Sequence, residues 1–186
     1  DQAQEDFKRY SNWNLDKTWT LFLDRDGVIN THIKGGYVTG LDNFEFIEGV
    51  LSSIPKLNKV FGKIVVVTNQ QCIGKGIITE EELNTIHSHM KIEIKKNGGQ
   101  LDAVYFAPQL VSENSEMRKP NTGMADKAKY QFPEIEFSKS IMVGDSLSDM
   151  EFGRRKGMKL VYINPGLNGD TDRTFPTLED FSKSIS

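Results

Sequence analysis

The chain has 186 residues, a formal net charge of -3 and 26% charged side chains. This length is sufficient for one domain with a substantial core that needs neither disulfides nor a structural metal. The slightly acidic balance gives no overall electrostatic footprint for nucleic acid, and no apolar run reaches membrane-spanning length. The single cysteine, Cys72, excludes an internal disulfide and a multi-cysteine zinc site, and it favours a reducing, cytoplasmic setting.

The N-terminal residues 1–16 are polar with scattered aromatic side chains, and we predict a packing arm or extension without chemistry there. In residues 17–186, strand and helix signals alternate without an internal repeat, which predicts a single α/β domain. The first residue is Asp1, so the sequence leaves open whether the chain is a segment of a longer protein.

The most informative stretch is residues 21–30, where an apolar run stops at Asp24, Asp26 and Gly27. A continuous apolar run predicts a central parallel strand that is covered on both faces. Ligands of open parallel sheets bind beyond the carboxyl ends of the strands, so we expect both aspartates at the mouth of a site. One carboxylate can act as a nucleophile while the other gives and takes a proton. A solvated turn with Asx hydrogen bonds is the alternative explanation of this motif.

A glycine-rich loop, residues 31–38, leaves the end of that strand and is therefore expected on the same side of the sheet. Loops in this position carry substrate-contacting side chains, and the candidates are His32, Lys34 and Tyr37. Because His32 stands alone, a solvated loop residue is a better explanation for it than a metal ligand.

The rest of the chain predicts further helices and buried strands in alternation. The predicted strands are Lys63 to Val67, Leu101 to Ala107, Ser140 to Val143 and Met158 to Ile163. The predicted helices begin at Ser52 or Ser53, at Thr79 and at Asn121 or Thr122; a further helix runs through Lys156, and a terminal segment lies near Leu178 to Ile185. His87 and His89 stand two apart on the second of these helices, so they do not share a face and are poor partners for one metal.

Several later residues could act on a bound phosphate beside Asp24. Thr68 follows the second strand, where its hydroxyl and the amides near Asn69 can donate to phosphate oxygens. Lys119 follows Arg118 and can neutralise the charge that develops during attack.

An acidic segment, residues 144–149, follows the fourth predicted strand. Its first carboxylate, Asp145, can complete an oxygen-rich site for Mg²⁺, which binds few carboxylates and keeps several waters. Gly144 and Gly27 are predicted to support the turns that carry these groups.

Taken together, the segments Asp24 to Asn30, Thr68, Lys119 and residues 144–149 resemble the four motifs of the haloacid dehalogenase (HAD) superfamily of aspartate-nucleophile phosphatases, in the same order. With residues 36–38, 44–50, 65–70 and 118–120, they further resemble the heptose-bisphosphate and histidinol-phosphate phosphatase family. The resemblance implies the HAD fold, a Rossmann-like parallel sheet flanked by helices, with a minimal cap.

The resemblance also implies a Mg²⁺-dependent phosphatase with an aspartyl-phosphate intermediate, in which Asp24 attacks and Asp26 acts as acid and then as base. Thr68 and Lys119 would hold the transferring group, joined by backbone amides near Arg25 and Asn69. The implied metal ligands are Asp24, the backbone carbonyl of Asp26, and Asp145. The resemblance also implies that Asp149 supports the metal waters or Lys119.

The implied partner is a small phosphorylated metabolite, first of all D-glycero-D-manno-heptose 1,7-bisphosphate losing its 7-phosphate, and Arg118 is a candidate for binding the second phosphate. Histidinol phosphate and other sugar phosphates are the alternatives. A catalytically silent binding domain is a further alternative, which the complete motif set disfavours. A polynucleotide 3'-phosphatase is disfavoured by the acidic net charge. We expect no nucleic-acid or membrane partner and a monomer or weak oligomer.

Two residue patterns depart from this family. Its members commonly carry a zinc loop with cysteines and a histidine before the Arg-Lys-Pro motif, but residues 107–117 contain neither residue type, so no zinc is expected. The residue after the fourth-motif aspartate is often basic, whereas this chain has Ser146.

Overall fold

The computed structural model describes residues 13–163 and 171–185. Most of the predicted N-terminal arm, residues 1–12, lies outside this part of the chain. Within the described part of that arm, Trp13 and Leu15 are partly buried against the hydrophobic core.

The described strands form one six-stranded parallel sheet, which confirms the predicted α/β class. The sheet order β3-β2-β1-β4-β5-β6 places β1 between β2 and β4, at the point where the chain changes its direction of winding. Ligands of such sheets bind at the carboxyl ends of the strands next to this switch point. The strands are β1 Thr20–Leu23, β2 Lys63–Asn69, β3 Ala103–Ala107, β4 Ser140–Gly144, β5 Lys159–Ile163 and β6 Arg173–Phe175.

Five described α-helices cover the two faces of the sheet: α1 Val50–Val60, α2 Glu80–Lys96, α3 Gly123–Gln131, α4 Leu147–Arg155 and α5 Leu178–Ile185. Buried side chains of α1, α2 and α5 pack with Leu21 and Leu23 of β1. Those of α3 and α4 pack with Phe22, which points to the opposite face. In the described part of the chain, no helix has the length and apolar character that crossing a membrane requires.

The predicted start of α2 is confirmed. Thr79 is its N-cap, and the Thr79 hydroxyl accepts a hydrogen bond of 3.1 Å from the backbone amide of Glu82. Such a cap satisfies one of the amides that a helix leaves without a partner in its first turn. The buried apolar face of α2 comprises Leu83, Ile86, Met90 and Ile94.

The predicted start of the first helix is wrong. Helix α1 begins at Val50, and Ser52 and Ser53 lie inside its first turn. The N-cap is Gly49, whose φ of 85° lies in the left-handed region that favours glycine. Both serine hydroxyls donate to the Gly49 carbonyl instead of capping an amide. A second difference is β6, three residues long, which the sequence did not indicate.

Candidate active site

A cleft of about 460 Å³ opens at the carboxyl ends of β1, β2 and β4. It is lined by acidic, basic and amide side chains together with two short stretches of loop. The lining residues are Asp24, Asp26, His32, Ile33, Gly36, Tyr37, Val38, Asn69, Gln70, Gln71, Arg118, Lys119, Asp145, Ser146, Ser148 and Asp149.

Lys119 lies at the floor of the cleft and is almost fully buried. Its Nζ donates to Asp24 Oδ1 at 2.9 Å, to Asp149 Oδ1 at 2.6 Å and to the Val67 carbonyl at 2.8 Å. Burial alone would lower the pKa of Lys119, but the carboxylates of Asp149 and Asp24 outweigh it and raise the pKa above its ordinary value. Lys119 is therefore a permanent cation held between two carboxylates.

The carboxylates around Lys119 are crowded. Burial, and then the charge of Asp149, raise the pKa of Asp24 well above its ordinary value, and Lys119 opposes them only in part. Burial and Asp149 also raise the pKa of Asp145, to about 6. Ligand oxygens of Asp24, Asp145 and Asp149 all lie within 4.8 Å of one another. This oxygen-only group carries more negative charge than one lysine neutralises, so its chemistry fits a hard divalent cation.

Both carboxylate oxygens of Asp149 accept hydrogen bonds from other groups of the protein. Its Oδ1 accepts from Lys119, and its Oδ2 accepts from the backbone amides of Asp145 and Ser146 at 3.1 and 3.2 Å. Asp149 is also 1% exposed. Asp24 and Asp145 are thus the better candidates for side-chain metal ligands, with Asp149 as their support.

Two glycines make this crowding possible. A Cβ atom on Gly27, whose φ is +86°, would overlap the Asp145 carboxylate, and a Cβ on Gly144 would overlap the Asp149 side chain. Any side chain at either position would push an acidic residue away from the cleft.

Asp26 is held by three side-chain donors. Its Oδ1 accepts from Arg25 at 2.8 Å and from Asn30 at 2.9 Å, and its Oδ2 accepts from Gln70 at 2.9 Å. Burial opposes ionisation of Asp26, but Arg25 and these hydrogen bonds outweigh it, so the pKa lies below its ordinary value. Asp26 still lines the cleft, with 25% of its side chain exposed.

The structure brings most of the predicted substrate-binding residues to the cleft, namely His32, Tyr37, Asn69 and Arg118. The Asn69 side chain forms a reciprocal pair with the backbone of Lys119, at 3.1 Å and 2.9 Å. Arg118 has a buried Nη1 atom for which the described residues provide no hydrogen-bond partner.

Three predicted residues are placed differently. Lys34 is exposed and is not among the described residues that line the cleft, so the structure does not bring its side chain to a substrate. The Arg25 side chain is fully buried and turned away, which leaves only its backbone amide for the predicted contact. Thr68 is fully buried next to the lining, and its hydroxyl accepts from Gln70 at 2.9 Å.

Sequence reasoning missed Asn30 and Gln70, the two amides that hold Asp26. Each lies at the end of a segment that was identified for another residue, Asp24 to Asn30 and Thr68 to Gln70. For Asn30, an amide side chain four residues after Asp26 was the available signal, whereas Gln70 is 44 residues from Asp26 and gave none. The sequence does not show that the segment ending at Gln70 lies against Asp26, so this donor to the Asp26 carboxylate could not be predicted.

The fold and the site define an α/β phosphatase of the aspartate-nucleophile type. The family model described as "Polynucleotide kinase 3 phosphatase" matches residues 20–177. The chain is 39% identical to D-glycero-alpha-D-manno-heptose-1,7-bisphosphate 7-phosphatase of Mycobacterium bovis, over 90% of this chain and 91% of the relative. It is 38% identical to D-glycero-beta-D-manno-heptose-1,7-bisphosphate 7-phosphatase of Escherichia coli K12, over 89% and 92%.

A solved structure agrees with these relatives. The D,D-heptose 1,7-bisphosphate phosphatase of B. bronchiseptica, complexed with magnesium and phosphate, superimposes with a TM-score of 0.80 at 26% identity and covers 89% of this chain and 96% of its own. The chain therefore belongs to the HAD phosphatases and to the family of the heptose-1,7-bisphosphate 7-phosphatases that are its relatives, and the family model above matches it as well. The predicted enzyme class, phosphoric monoester hydrolase, is confirmed.

Proposed function

We propose that this phosphatase removes the 7-phosphate from D-glycero-D-manno-heptose 1,7-bisphosphate. The observation that carries the proposal is that one cleft holds Lys119-bound Asp24 together with Asp26 and is also lined by Arg118, whose Nη1 has no hydrogen-bond partner among the described residues. Asp24, Lys119 and Asp26 suit phosphoryl transfer, and the Arg118 guanidinium suits binding of a further phosphate on the same substrate. The names of the relatives support this substrate.

In the first step, an Asp24 oxygen bonds to phosphorus while the bond from phosphorus to the sugar oxygen breaks. Asp26 gives its proton to that oxygen, and Lys119 offsets charge on the transferring group. The pKa of Asp26 is low before substrate binds, but a phosphate dianion beside the carboxyl raises it, so Asp26 gains its proton as the substrate enters.

In the second step, Asp26 takes a proton from water. The water oxygen bonds to phosphorus, and the bond to Asp24 breaks, which restores the free carboxylate. Thr68 and the backbone amides near Arg25 and Asn69 hold the phosphoryl oxygens in this proposal.

Asp24, Asp145 and the backbone carbonyl of Asp26 are the proposed ligands of Mg²⁺. When bound, the ion supplies positive charge that reduces repulsion between the carboxylate and the phosphate. The crowded, charge-rich group around Asp149 is the feature of this chain that supports the assignment. Zinc is not part of the proposal, because residues 107–117 lack the cysteines and histidine of a zinc loop.

Removal of Mg²⁺ is expected to stop turnover and to lower the melting temperature. A cation that binds only the folded state stabilises it by about 2.7 kcal/mol when present at a hundred times its Kd. The measurement is phosphate release and thermal unfolding with EDTA and then with added Mg²⁺. Asp145→Asn should remove the Mg²⁺-dependent thermal shift. A full shift in that variant would place the ion elsewhere.

Arg118→Ala is expected to raise KM for a bisphosphate by about ten- to a hundredfold, since hydrogen bonds to charged groups contribute roughly 1.5–3 kcal/mol. KM for a monophosphate of the same sugar should change little. Steady-state kinetics on both substrates checks this, with Arg154→Ala on helix α4 as the control. Equal effects on both substrates would contradict a role in binding the second phosphate.

The substrate is tested by phosphate release from both anomers of the heptose bisphosphate, from histidinol phosphate, from a sugar-phosphate panel and from a 3'-phosphorylated oligonucleotide. Both anomers are needed because the relatives differ in this respect. Selectivity for a heptose bisphosphate supports the proposal. Preference for another monoester would change the assigned substrate but leave the proposed phosphoryl-transfer mechanism in place. If no ester gives activity above that of Asp24→Asn, the result would support the alternative of a catalytically silent binding domain.

The proposal includes three further points. Residues 17–186 form one domain, supported by the single sheet that joins the described strands. The partner is a small metabolite and neither nucleic acid nor membrane, with a monomer or weak oligomer as the working state. The setting is cytoplasmic, supported by a buried cysteine, Cys72, that is free.

A further inference from the structure

A fully buried arginine lies behind the cleft. The Arg25 side chain has no solvent exposure, and its Nη2 donates to Asp26 Oδ1 at 2.8 Å. Its Nε is also buried and has no hydrogen-bond partner among the described residues. A guanidinium that has lost its water and satisfies few of its donors depends strongly on the partners that remain.

The second partner of Arg25 is His87 of helix α2. Arg25 Nη1 and His87 Nε2 lie 3.1 Å apart, and the histidine is buried. A guanidinium can only donate, so Nε2 accepts and the ring proton stands on Nδ1. Burial, and then the charge of Arg25, lower the pKa of His87 to about 3, which keeps the ring in this neutral, accepting form.

Aromatic rings enclose the same group. The Arg25 guanidinium lies 5.9 Å from the centroid of the Phe44 ring, and the His87 ring lies 6.1 Å from that of Phe106. These rings fill space and offer no strong acceptor, so hydrogen bonds to His87 and Asp26 fix the two ends of the guanidinium.

We propose that His87 is a positioning residue for the phosphatase reaction, which aims Arg25 at Asp26 by accepting a hydrogen bond from the far end of the guanidinium. Without this acceptor, Arg25 is free to turn away from Asp26 Oδ1. Asp26 then loses one of its three side-chain donors and the orientation from which it serves the leaving oxygen. This inference rests on the acid role of Asp26 in the proposed function.

The effect of His87 on rate depends on the leaving group. Sugar oxygens leave poorly as anions and need a proton from Asp26, whereas nitrophenolate leaves without one. The quantity to compare is kcat/KM, which covers the steps through formation of the aspartyl-phosphate. A general acid typically contributes about 10²–10⁴-fold, and this contribution is what misalignment of Asp26 diminishes.

The experiment measures kcat/KM for a sugar phosphate and for p-nitrophenyl phosphate in four variants. In His87→Phe, kcat/KM should fall by about tenfold or more for the sugar phosphate and by less than about threefold for the aryl ester. His87→Gln, which keeps an acceptor, should stay within about threefold of the parent on both. Ser88→Ala is the control on the same helix, because Ser88 is an exposed neighbour of His87 and should leave both rates unchanged.

Asp26→Asn separates the two hypotheses. One outcome overturns the positioning role while the proposed function stands. In it, Asp26→Asn lowers kcat/KM more for the sugar phosphate than for the aryl ester, but His87→Phe lowers kcat/KM equally for both esters. If Asp26→Asn lowers kcat/KM equally for both esters, the acid role of Asp26 is wrong, and the positioning role of His87 is wrong with it. Should His87→Phe not fold, the ¹⁵N shifts of the parent ring still decide the geometry. A protonated Nδ1 with a bare Nε2 supports the proposal, and a protonated Nε2 overturns it.

Discussion

Asp24→Asn is expected to reduce phosphate release by roughly four orders of magnitude or more, in the range seen when a catalytic nucleophile is removed. The amide has nearly the same shape as the carboxylate but is not a nucleophile, so the fold should survive. Burial and the charges of Asp149 and Asp145 already disfavour the ionised form of Asp24. A raised pKa means that the ionised group lowers stability at neutral pH, so the variant should melt at the same temperature or higher.

Phosphate release and thermal unfolding at neutral pH check this result together. Asp42→Asn, at an exposed position outside the cleft, is the control and should retain full activity. Trapping of phosphorylated protein in the parent and not in Asp24→Asn would identify the carrier. Appreciable turnover by Asp24→Asn would mean that water attacks the substrate directly.

Lys119→Met is expected to abolish activity and to destabilise the fold by roughly 3–5 kcal/mol, as when one partner of a buried ion pair is removed. The change leaves the carboxylates of Asp24 and Asp149 buried without their cation, although methionine nearly fills the same volume. Urea unfolding measures the stability. Lys127→Met, on the exposed side of α3, should change it by less than about 0.5 kcal/mol.

A second substitution tests the cause. Adding Asp149→Asn to Lys119→Met removes one of the unpaired charges and should recover part of the lost stability, while activity stays absent. If the two changes are simply additive, the loss comes from packing and not from uncompensated charge.

The sequence was informative where local pattern and chemistry coincide. The apolar run before Asp24 and the run before Thr68 predicted two neighbouring buried strands, because a strand covered on both faces needs apolar residues throughout. The carboxyl ends of parallel strands meet at one edge, so Asp24, Asn69 and Asp145 lie together in the cleft, with Thr68 buried next to it. The start of α1 was missed because a left-handed glycine cap, Gly49, resembles a loop glycine in the sequence.

Contacts between distant segments could not be predicted. Arg25 and His87 are 62 residues apart, and their contact depends on which face of α2 turns toward the end of β1. The sequence also placed Lys34 near the substrate, since it shares a loop with Tyr37. Only the tertiary fold decides which side chains of such a loop point inward.

Strand β1 is hydrogen-bonded to a neighbour on each side, and the Asp24 amide itself donates to the Val143 carbonyl at 2.9 Å. Amides in such a strand exchange with solvent only when the whole domain unfolds. The backbone that carries Asp24, the proposed nucleophile, is therefore expected to keep its place for as long as the protein stays folded. The proposed substrate-binding residues His32, Tyr37 and Arg118 lie on loops, where substitutions are better tolerated than in the strands. If these proposed roles hold, mutations in the loops can alter the range of substrates while the residues proposed for phosphoryl transfer stay unchanged.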